Sequence, residues 1–370
     1  MKVLFLQSNI DDAHQLRLRR QLVRSGHEVV ACGFRRPYYR GKPVEGRPIS
    51  LGHLGHSSVV ARVPTLLSAI QRVRRLSIGC SAIFVFGSDM HALGYIATIG
   101  RAGLAIREVA DIPKLLSGAG WKGRLARSLE RWSLRRLDTL IVTSEAFLSE
   151  YYYPTFGDRS VPRAFVLENK VDTKLDGPRL PASKLVESRP VRIGYFGLLR
   201  CARSIEVLIA LAARFPDRFS VQMRGYNFID YPIQDRCSGL QNVAYTREFR
   251  NPEDLRAAYN SCDVVWSCYP YDPSNVNARM ARTNRFYEAC YFRRPQICQT
   301  GTIDAVKVTA YGIGVAVDLE SVDQAVQQVS TIARSDWRSM ASRIELLPES
   351  EYCYQDELTV VMNELRARRA

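Results

Sequence analysis

Apolar positions along the chain follow two rhythms. Short apolar runs at KVLFL (2–6), EVVACGF (28–34), AIFVFG (82–87), LAIREVAD (104–111) and TLIVTS (139–144) read as buried strands. Longer stretches with one polar face alternate with them. One follows Asp11 and Asp12, carries Leu16, Leu22 and Val23 on its apolar side, and stops at SGH (25–27). Another spans roughly 122–137. Strand–helix alternation of this kind predicts a parallel sheet covered on both faces.

The rhythm lapses over 169–192, where NKVDTKLDGPRLPASKLVESRP is rich in Pro, Lys and Asp, and then restarts. Strands are predicted at VRIGYFG (191–197), FSVQMRG (219–225), NVAYT (242–246), DVVWSCY (263–269), QICQT (296–300) and GVAVD (314–318). Helices are predicted at 204–215, 252–262, near 302–310, and through the tail from about 321. The reading is α/β, with two doubly wound Rossmann-like domains facing a central cleft. Its boundaries are 1–170 for the first domain, 171–190 for a linker, 191–345 for the second domain and 346–370 for a helical tail.

Composition supports two cores: 370 residues, of which 46% are hydrophobic. The net charge of +15 is uneven. Residues 1–150 hold 23 Lys+Arg against 11 Asp+Glu, an excess of +12, whereas 151–370 hold 29 against 26, an excess of +3. Arg17, Arg19, Arg20, Arg24, Arg35, Arg36, Arg40, Lys42 and Arg47 form one basic concentration, and Arg72, Arg74 and Arg75 another. Such a face attracts a polyanion or an anionic membrane leaflet, or is simply a solvated surface. The nine cysteines show no C-x-x-C and no His partner at zinc spacing, and those in apolar runs read as small core residues of a reducing compartment. No run approaches the roughly 20 apolar residues of a spanning helix, so a cytoplasmic protein, able to lie peripherally on a membrane, is expected.

The first strand–helix turn, QSNIDDAH, lacks G-x-G-x-x-G; no G-x-x-x-x-G-K-[ST] and no D-x-D occurs. The second domain opens with GYFGLLRCARSIEVL. Gly197 lets a bound group approach the backbone, Ser204 reads as the helix N-cap, and Arg200 and Arg203 add guanidinium forks beside a positive helix start. These features suit a phosphate; an ordinary turn with surface arginines is the alternative. TNRFYEACYFRRPQIC (283–298) is an amphipathic helix running into a Pro-entered strand. Asn284 and Glu288, four apart, share a face, with Arg285 beside them. They either hold a ligand, the carboxylate on ribose hydroxyls and the amide and guanidinium on a diphosphate, or Thr283 caps the helix and Glu288 faces solvent.

This order of strand–G-x-L–Arg–helix, then N-[KR]-x-[FY]-E-A, then a Pro-entered strand, resembles a GT-B glycosyltransferase of the GT4-like branch found in bacterial polysaccharide clusters. REVADI (107–112), LERWSLRRLDTLIVTSEAFLSEYY (129–152) and LENKVD (167–172) are similar to that family's N-terminal landmarks. The resemblance implies that Glu288 binds the donor ribose, and that Asn284 and Arg285 lie near the diphosphate with Arg200 and Arg203. It also puts Arg224 and Gly225 on the base side, with Tyr245 to Phe249 beside the base. Tyr269, Tyr271 and Asp272 line the loop before the key helix, to pack on the donor sugar or simply to pack. Met280 stands where the family has a second glutamate, and Ser204 where a glycine is usual.

Asp111 ends a predicted strand and is the candidate catalytic carboxylate. It could act as a general base giving inversion, or as a sugar contact in a retaining reaction, which the resemblance favours, or as a helix N-cap before Pro113. Glu108 lies inside the strand and is the weaker candidate. Ser8, Asp11, His14 and Asp89, with Ser88 and His91, fall near strand ends and are candidates for acceptor contacts. The implied reaction passes a sugar from a nucleotide-diphosphate donor to a hydroxyl of a glycan or polyprenyl-diphosphate-linked acceptor, without metal or cofactor. The rivals are a nucleotide-sugar epimerase of the same two-domain shape and a basic nucleic-acid-binding protein. Against the latter, aromatics interleave with the basic runs only at Tyr38 and Tyr39.

Overall fold

The computed structural model describes residues 1–36, 48–55, 59–101, 103–174, 177–182, 185 and 188–367. Arg40, Lys42 and Arg47 of the first basic concentration, and Tyr38 and Tyr39, lie outside the described residues. The chain divides into two compact units, Met1–Glu168 with Asp356–Ala370, and Asn169–Gln355.

Among its described residues the first unit holds seven parallel strands: β1 (Lys2–Gln7), β2 (Glu28–Arg35), β3 (Ile49–His53), β4 (Ala82–Phe86), β5 (Leu104–Val109), β6 (Thr139–Val142) and β7 (Arg163–Val166), in the order β3-β2-β1-β4-β5-β6-β7. One sheet face packs Leu4, Leu6, Ile83 and Val85 against Ala69, Val73, Met90 and Leu93 of the helices Val59–Leu76 and Gly87–Thr98. The other face carries Phe5, Phe84 and Phe86 in mutual ring contact. These runs are apolar on both sides because helices cover both sides.

The second unit holds six parallel strands: β8 (Val191–Leu199), β9 (Phe219–Asn227), β10 (Val243–Thr246), β11 (Val264–Trp266), β12 (Gln296–Gln299) and β13 (Gly314–Val317), in the order β10-β9-β8-β11-β12-β13. Alternate residues feed two cores. Ile193, Tyr195, Val264, Trp266 and Ile297 pack with Ile205 and Leu208. Phe196, Val265 and Cys298 pack with Phe286, Tyr259 and Val308. The period of two along each strand divides them.

The predicted strands are all present, shifted by a few residues at their ends. Two edge strands, β3 and β7, and the helices Val59–Leu76 and Gly87–Thr98 were not foreseen. The segment 171–190, read as a linker, belongs to the second unit: Val171 bridges to Cys353, and Leu180 and Leu185 are buried. The end of the tail goes the other way. The helix Glu357–Ala367 lies on the first unit, where the Thr359 hydroxyl meets that of Ser25 at 2.6 Å and Glu364 pairs with Arg163. The expected basic surface is also thinner than its sequence, since Arg17 and Arg19 are buried.

Gly225 faces Gly197 across the β8–β9 ladder. A Cβ on Gly225 would come within 1.7 Å of the Gly197 carbonyl oxygen, and its φ is +146°. Gly225→Ala is therefore expected to cost about 3 kcal/mol, from overpacking and backbone strain together, read as a lower midpoint in thermal or urea melts. An unchanged midpoint would contradict this packing.

Candidate functional site

In the second unit the strand order reverses at β8: β9 continues on one side and β11 on the other. Loops leaving the carboxyl ends of two such strands diverge, and the crevice between them is where open α/β sheets take ligands. Arg285 ties the last residues of β8 to the loop that leaves β11. Its Nη1 donates to the Phe196 carbonyl at 3.1 Å and its Nη2 to the Cys268 carbonyl at 2.9 Å. The guanidinium lies 5.2 Å from the Tyr195 ring, and its buried Nε has no hydrogen-bond partner among the described residues.

A second tie comes from Cys201. Its thiol sulfur accepts from the Ser204 N–H and from the Tyr271 N–H, both at 3.3 Å. Cys201, not Ser204, is thus the N-cap of the helix Ala202–Arg214. The helix starts two residues earlier than its apolar period indicates, which leaves Ser204 in the first turn, buried, with no partner for its hydroxyl among the described residues. Arg200 is exposed, with its guanidinium 5.2 Å from the Tyr269 ring. Arg203 lies 5.8 Å from the Tyr271 ring and donates to the Glu320 carbonyl at 2.9 Å. Gly197 has φ +100° and open space where a side chain would be. A helix start, an exposed guanidinium and the bare backbone near the end of β8 make this edge of the unit positive.

The helix Asn284–Tyr291 is capped by Thr283, whose hydroxyl accepts from the Phe286 N–H. Thr283 is itself fixed by Asp304: its N–H and hydroxyl both donate to Oδ2, at 3.0 and 2.8 Å, and Arg282 Nε stands 3.4 Å from Oδ1. Burial pushes the Asp304 carboxyl up to about 6, against the opposing pull of Arg282 and Thr283. Asn284 is exposed, and its Oδ1 accepts from Asn169 of the LENKVD segment. Glu288 is only 4% exposed, so it does not face solvent. Its two oxygens accept from Asn251 Nδ2 at 3.0 Å and from the Tyr259 hydroxyl at 2.9 Å. On the β9 side, the Tyr245 hydroxyl donates to the Gly225 carbonyl at 3.5 Å, and with the Gln222 amide oriented to satisfy both its ends, its oxygen accepts from Arg224 Nε at 2.9 Å. Phe249, read as a neighbour of a base, is a core residue stacked on Phe196.

In the first unit the order reverses between β1 and β4. Ser8 and Asp11 follow β1, Asp89 follows β4 and Asp111 follows β5, so these candidates lie at the carboxyl ends of three adjacent strands. Asp111 is exposed, and it is not the helix cap, since Pro113 occupies that position before Lys114–Ser117. Asp11 is half-buried; burial raises its carboxyl, and Arg35, 4.0 Å away, opposes this. Asp89 pairs with Arg62 at 3.5 Å, and the Ser8 hydroxyl accepts from Gln15. His14 is buried rather than open, with Nε2 2.5 Å from Glu108 Oε1. Burial alone would lower its pKa, but Glu108 reverses this and the net shift is upward. His91 is likewise buried, bonded to Ser133.

Sequence reasoning missed Asn251, Tyr259, Cys201 and the Arg282–Asp304 anchor. Their roles depend on contacts across 21 to 70 residues of chain, and no local signal marks them.

Two doubly wound α/β units, the second with a positive loop at its switch point, are the architecture of a GT-B glycosyltransferase. Residues 12–158 match the model of the glycosyl transferase 4-like domain. Over 362 residues the chain is 27% identical to the succinoglycan biosynthesis protein ExoL of Rhizobium meliloti, covering 93% of this chain and 88% of that one. Sucrose-phosphate synthase from Thermosynechococcus elongatus has a similar structure, with a TM-score of 0.71 at 15% identity, over 100% of this chain and 99% of that one. The Anabaena protein HepE, solved in complex with UDP and glucose, gives 0.67 at 16% identity over the same shares. The chain is a glycosyltransferase that resembles the GT4-like branch in sequence and in fold.

Asp304 offers a pH test of the helix anchor. Its carboxyl titrates near 3.8 when exposed and at about 6 in the folded chain, so the folded state keeps a proton that the unfolded state releases. Stability from this group is full below about pH 4 and falls, by up to ~3 kcal/mol, as pH rises through about 6. Asp304→Asn should flatten melting midpoints across that window; an unchanged slope would contradict the assignment.

Proposed function

We propose that the protein transfers a sugar from a nucleoside-diphosphate donor to a hydroxyl of a growing bacterial surface glycan, with retention of anomeric configuration. The observation that carries this reading is the switch point of the second unit, where Gly197 near the end of β8, the exposed Arg200 just after it and the start of the helix Ala202–Arg214 follow one another. The donor diphosphate sits against that backbone, and its charge is met by helix N–H groups and Arg200, with Arg203 and Asn284 flanking it. These groups supply the positive field that stabilises the leaving nucleotide, and the reaction in this reading calls for no metal ion. Arg285 acts mainly by keeping the two loops in register. Glu288, already oriented by Asn251 and Tyr259, accepts the ribose hydroxyls. Arg224, Gly225 and Tyr245 form the base side, and Tyr271 packs on the sugar. HepE's complex with UDP and glucose makes UDP the first nucleotide to test.

Asp111 binds a sugar hydroxyl while the donor phosphate assists departure. Ser8, Asp11 and Asp89 contact the acceptor, and His14, buried against Glu108, supports the start of its helix. ExoL's part in succinoglycan biosynthesis supports a polysaccharide acceptor. Such an acceptor carried on a polyprenyl diphosphate would bring the enzyme to the anionic inner face of a membrane.

Two variants test the assignment. Glu288→Gln keeps the packing but removes the charge, and should weaken UDP binding at least ~10-fold in calorimetry with little change in melting; equal affinity would remove Glu288 from the donor site. Asp111→Asn, at an exposed position, should lower turnover by about 100-fold or more with donor binding retained, whereas near-normal turnover would leave it no catalytic role. Donor consumption without any acceptor would favour an epimerase instead.

A further inference from the structure

The helix Gly120–Leu134 in the first unit is turned inside out by the standards of a soluble helix. Its inner face is polar or small: Gly123, Glu130 and Ser133 are buried with Leu134, and Glu130 pairs with the fully buried Arg107. Its outer face carries Trp121, Leu125, Leu129 and Trp132, which are 64%, 53%, 60% and 45% exposed. Spacings of four, four and three residues place all four on one narrow stripe. Leu115, half exposed, precedes them in a short turn that Arg127 binds through the carbonyls of Leu116 and Gly118.

Basic side chains border the stripe. Lys122, Arg124 and Arg135 are exposed, and Arg131 and Arg136 are partly so. Arg136 lies 3.8 Å from the Trp132 ring and Lys122 lies 5.6 Å from that of Trp121, so cations sit at the rims of the apolar strip. Glu130, the one acid of the helix, is committed to the interior. A contiguous apolar patch rimmed by polar groups marks an interaction surface. Tryptophan, leucine and flanking arginine on one exposed helix face is the pattern that lies in a bilayer interface, and the uncompensated positive charge selects anionic headgroups.

We propose that this outer face is a docking surface for an anionic lipid bilayer. Trp121, Leu125, Leu129 and Trp132 enter the headgroup–acyl boundary while the flanking lysine and arginines remain among the phosphates. A second copy of the chain is a poorer occupant, because a symmetric contact would bring two sets of like charges together. The inference gives the membrane-borne acceptor of the proposed function a physical seat, but its evidence is this helix alone. Nucleotide binding and lipid binding therefore fail separately.

The test is flotation of the full chain with vesicles of phosphatidylcholine alone, and of phosphatidylcholine with phosphatidylglycerol in equal parts, without any sugar donor. Trp266 and Trp337 are fully buried, so a change in tryptophan emission reports Trp121 and Trp132. The chain should float with the anionic vesicles, with blue-shifted emission, and much less with the neutral ones. The double variant Leu125→Glu, Leu129→Glu should lose at least ~10-fold in partitioning with an unchanged melting midpoint, since both positions are exposed. Equal partitioning of wild type and variant, binding indifferent to the anionic lipid, or no binding would overturn the proposal. So would light scattering that shows a dimer which the variant dissolves.

Discussion

One guanidinium fixes the geometry on which the candidate site depends. At a reversal of strand order, the chain leaves β8 and β11 in different directions, and nothing in the ladder joins the Phe196 and Cys268 carbonyls. Arg285 takes both with one planar fork, which a flexible ammonium could not do with the same geometry. The Cys201 sulfur repeats the connection by accepting from the first turn of one helix and from the far loop. Asp304 then pins Thr283, and Thr283 sets where the Arg285 helix begins. The end of β8 at Gly197, the helix start and Glu288 are thus consequences of a single braced crevice.

Much of the fold was legible because buried parallel strands are short apolar runs and amphipathic helices keep their period. The failures have physical causes. β3 and β7 are edge strands, half-exposed and short, so ISLGH and RAFV carry little apolar signal. The helix Gly87–Thr98 follows β4 without a turn residue other than its own first glycine, and mixes apolar and small residues around its circumference. Ser204 looked like the cap because serine is a better cap than cysteine; the true start is set by the tie between the two loops. Asn284 and Glu288 were correctly placed four apart, but one is exposed and the other is buried against Asn251 and Tyr259, a difference that local spacing does not contain.

Sequence position was also a poor guide to where charge and chain segments end up. Arg17 and Arg19 count toward a basic surface in composition, yet they are buried, whereas Lys122 and Arg124 of Gly120–Leu134 are exposed beside an apolar stripe. That helix had read as an ordinary sheet cover, because periodicity reports an apolar face without saying which way it points. The helix Glu357–Ala367 follows the second unit in sequence and packs on the first.

The central claim is that the second unit receives a nucleoside diphosphate at its strand-order reversal. A crystal structure of the full chain with UDP tests it most directly. The account places the phosphates against the Gly197 backbone and the first turn of Ala202–Arg214, within reach of Arg200, and the ribose hydroxyls on Glu288. Well-ordered UDP anywhere else in the second unit, with the backbone at Gly197 and the start of Ala202–Arg214 bare, would contradict it.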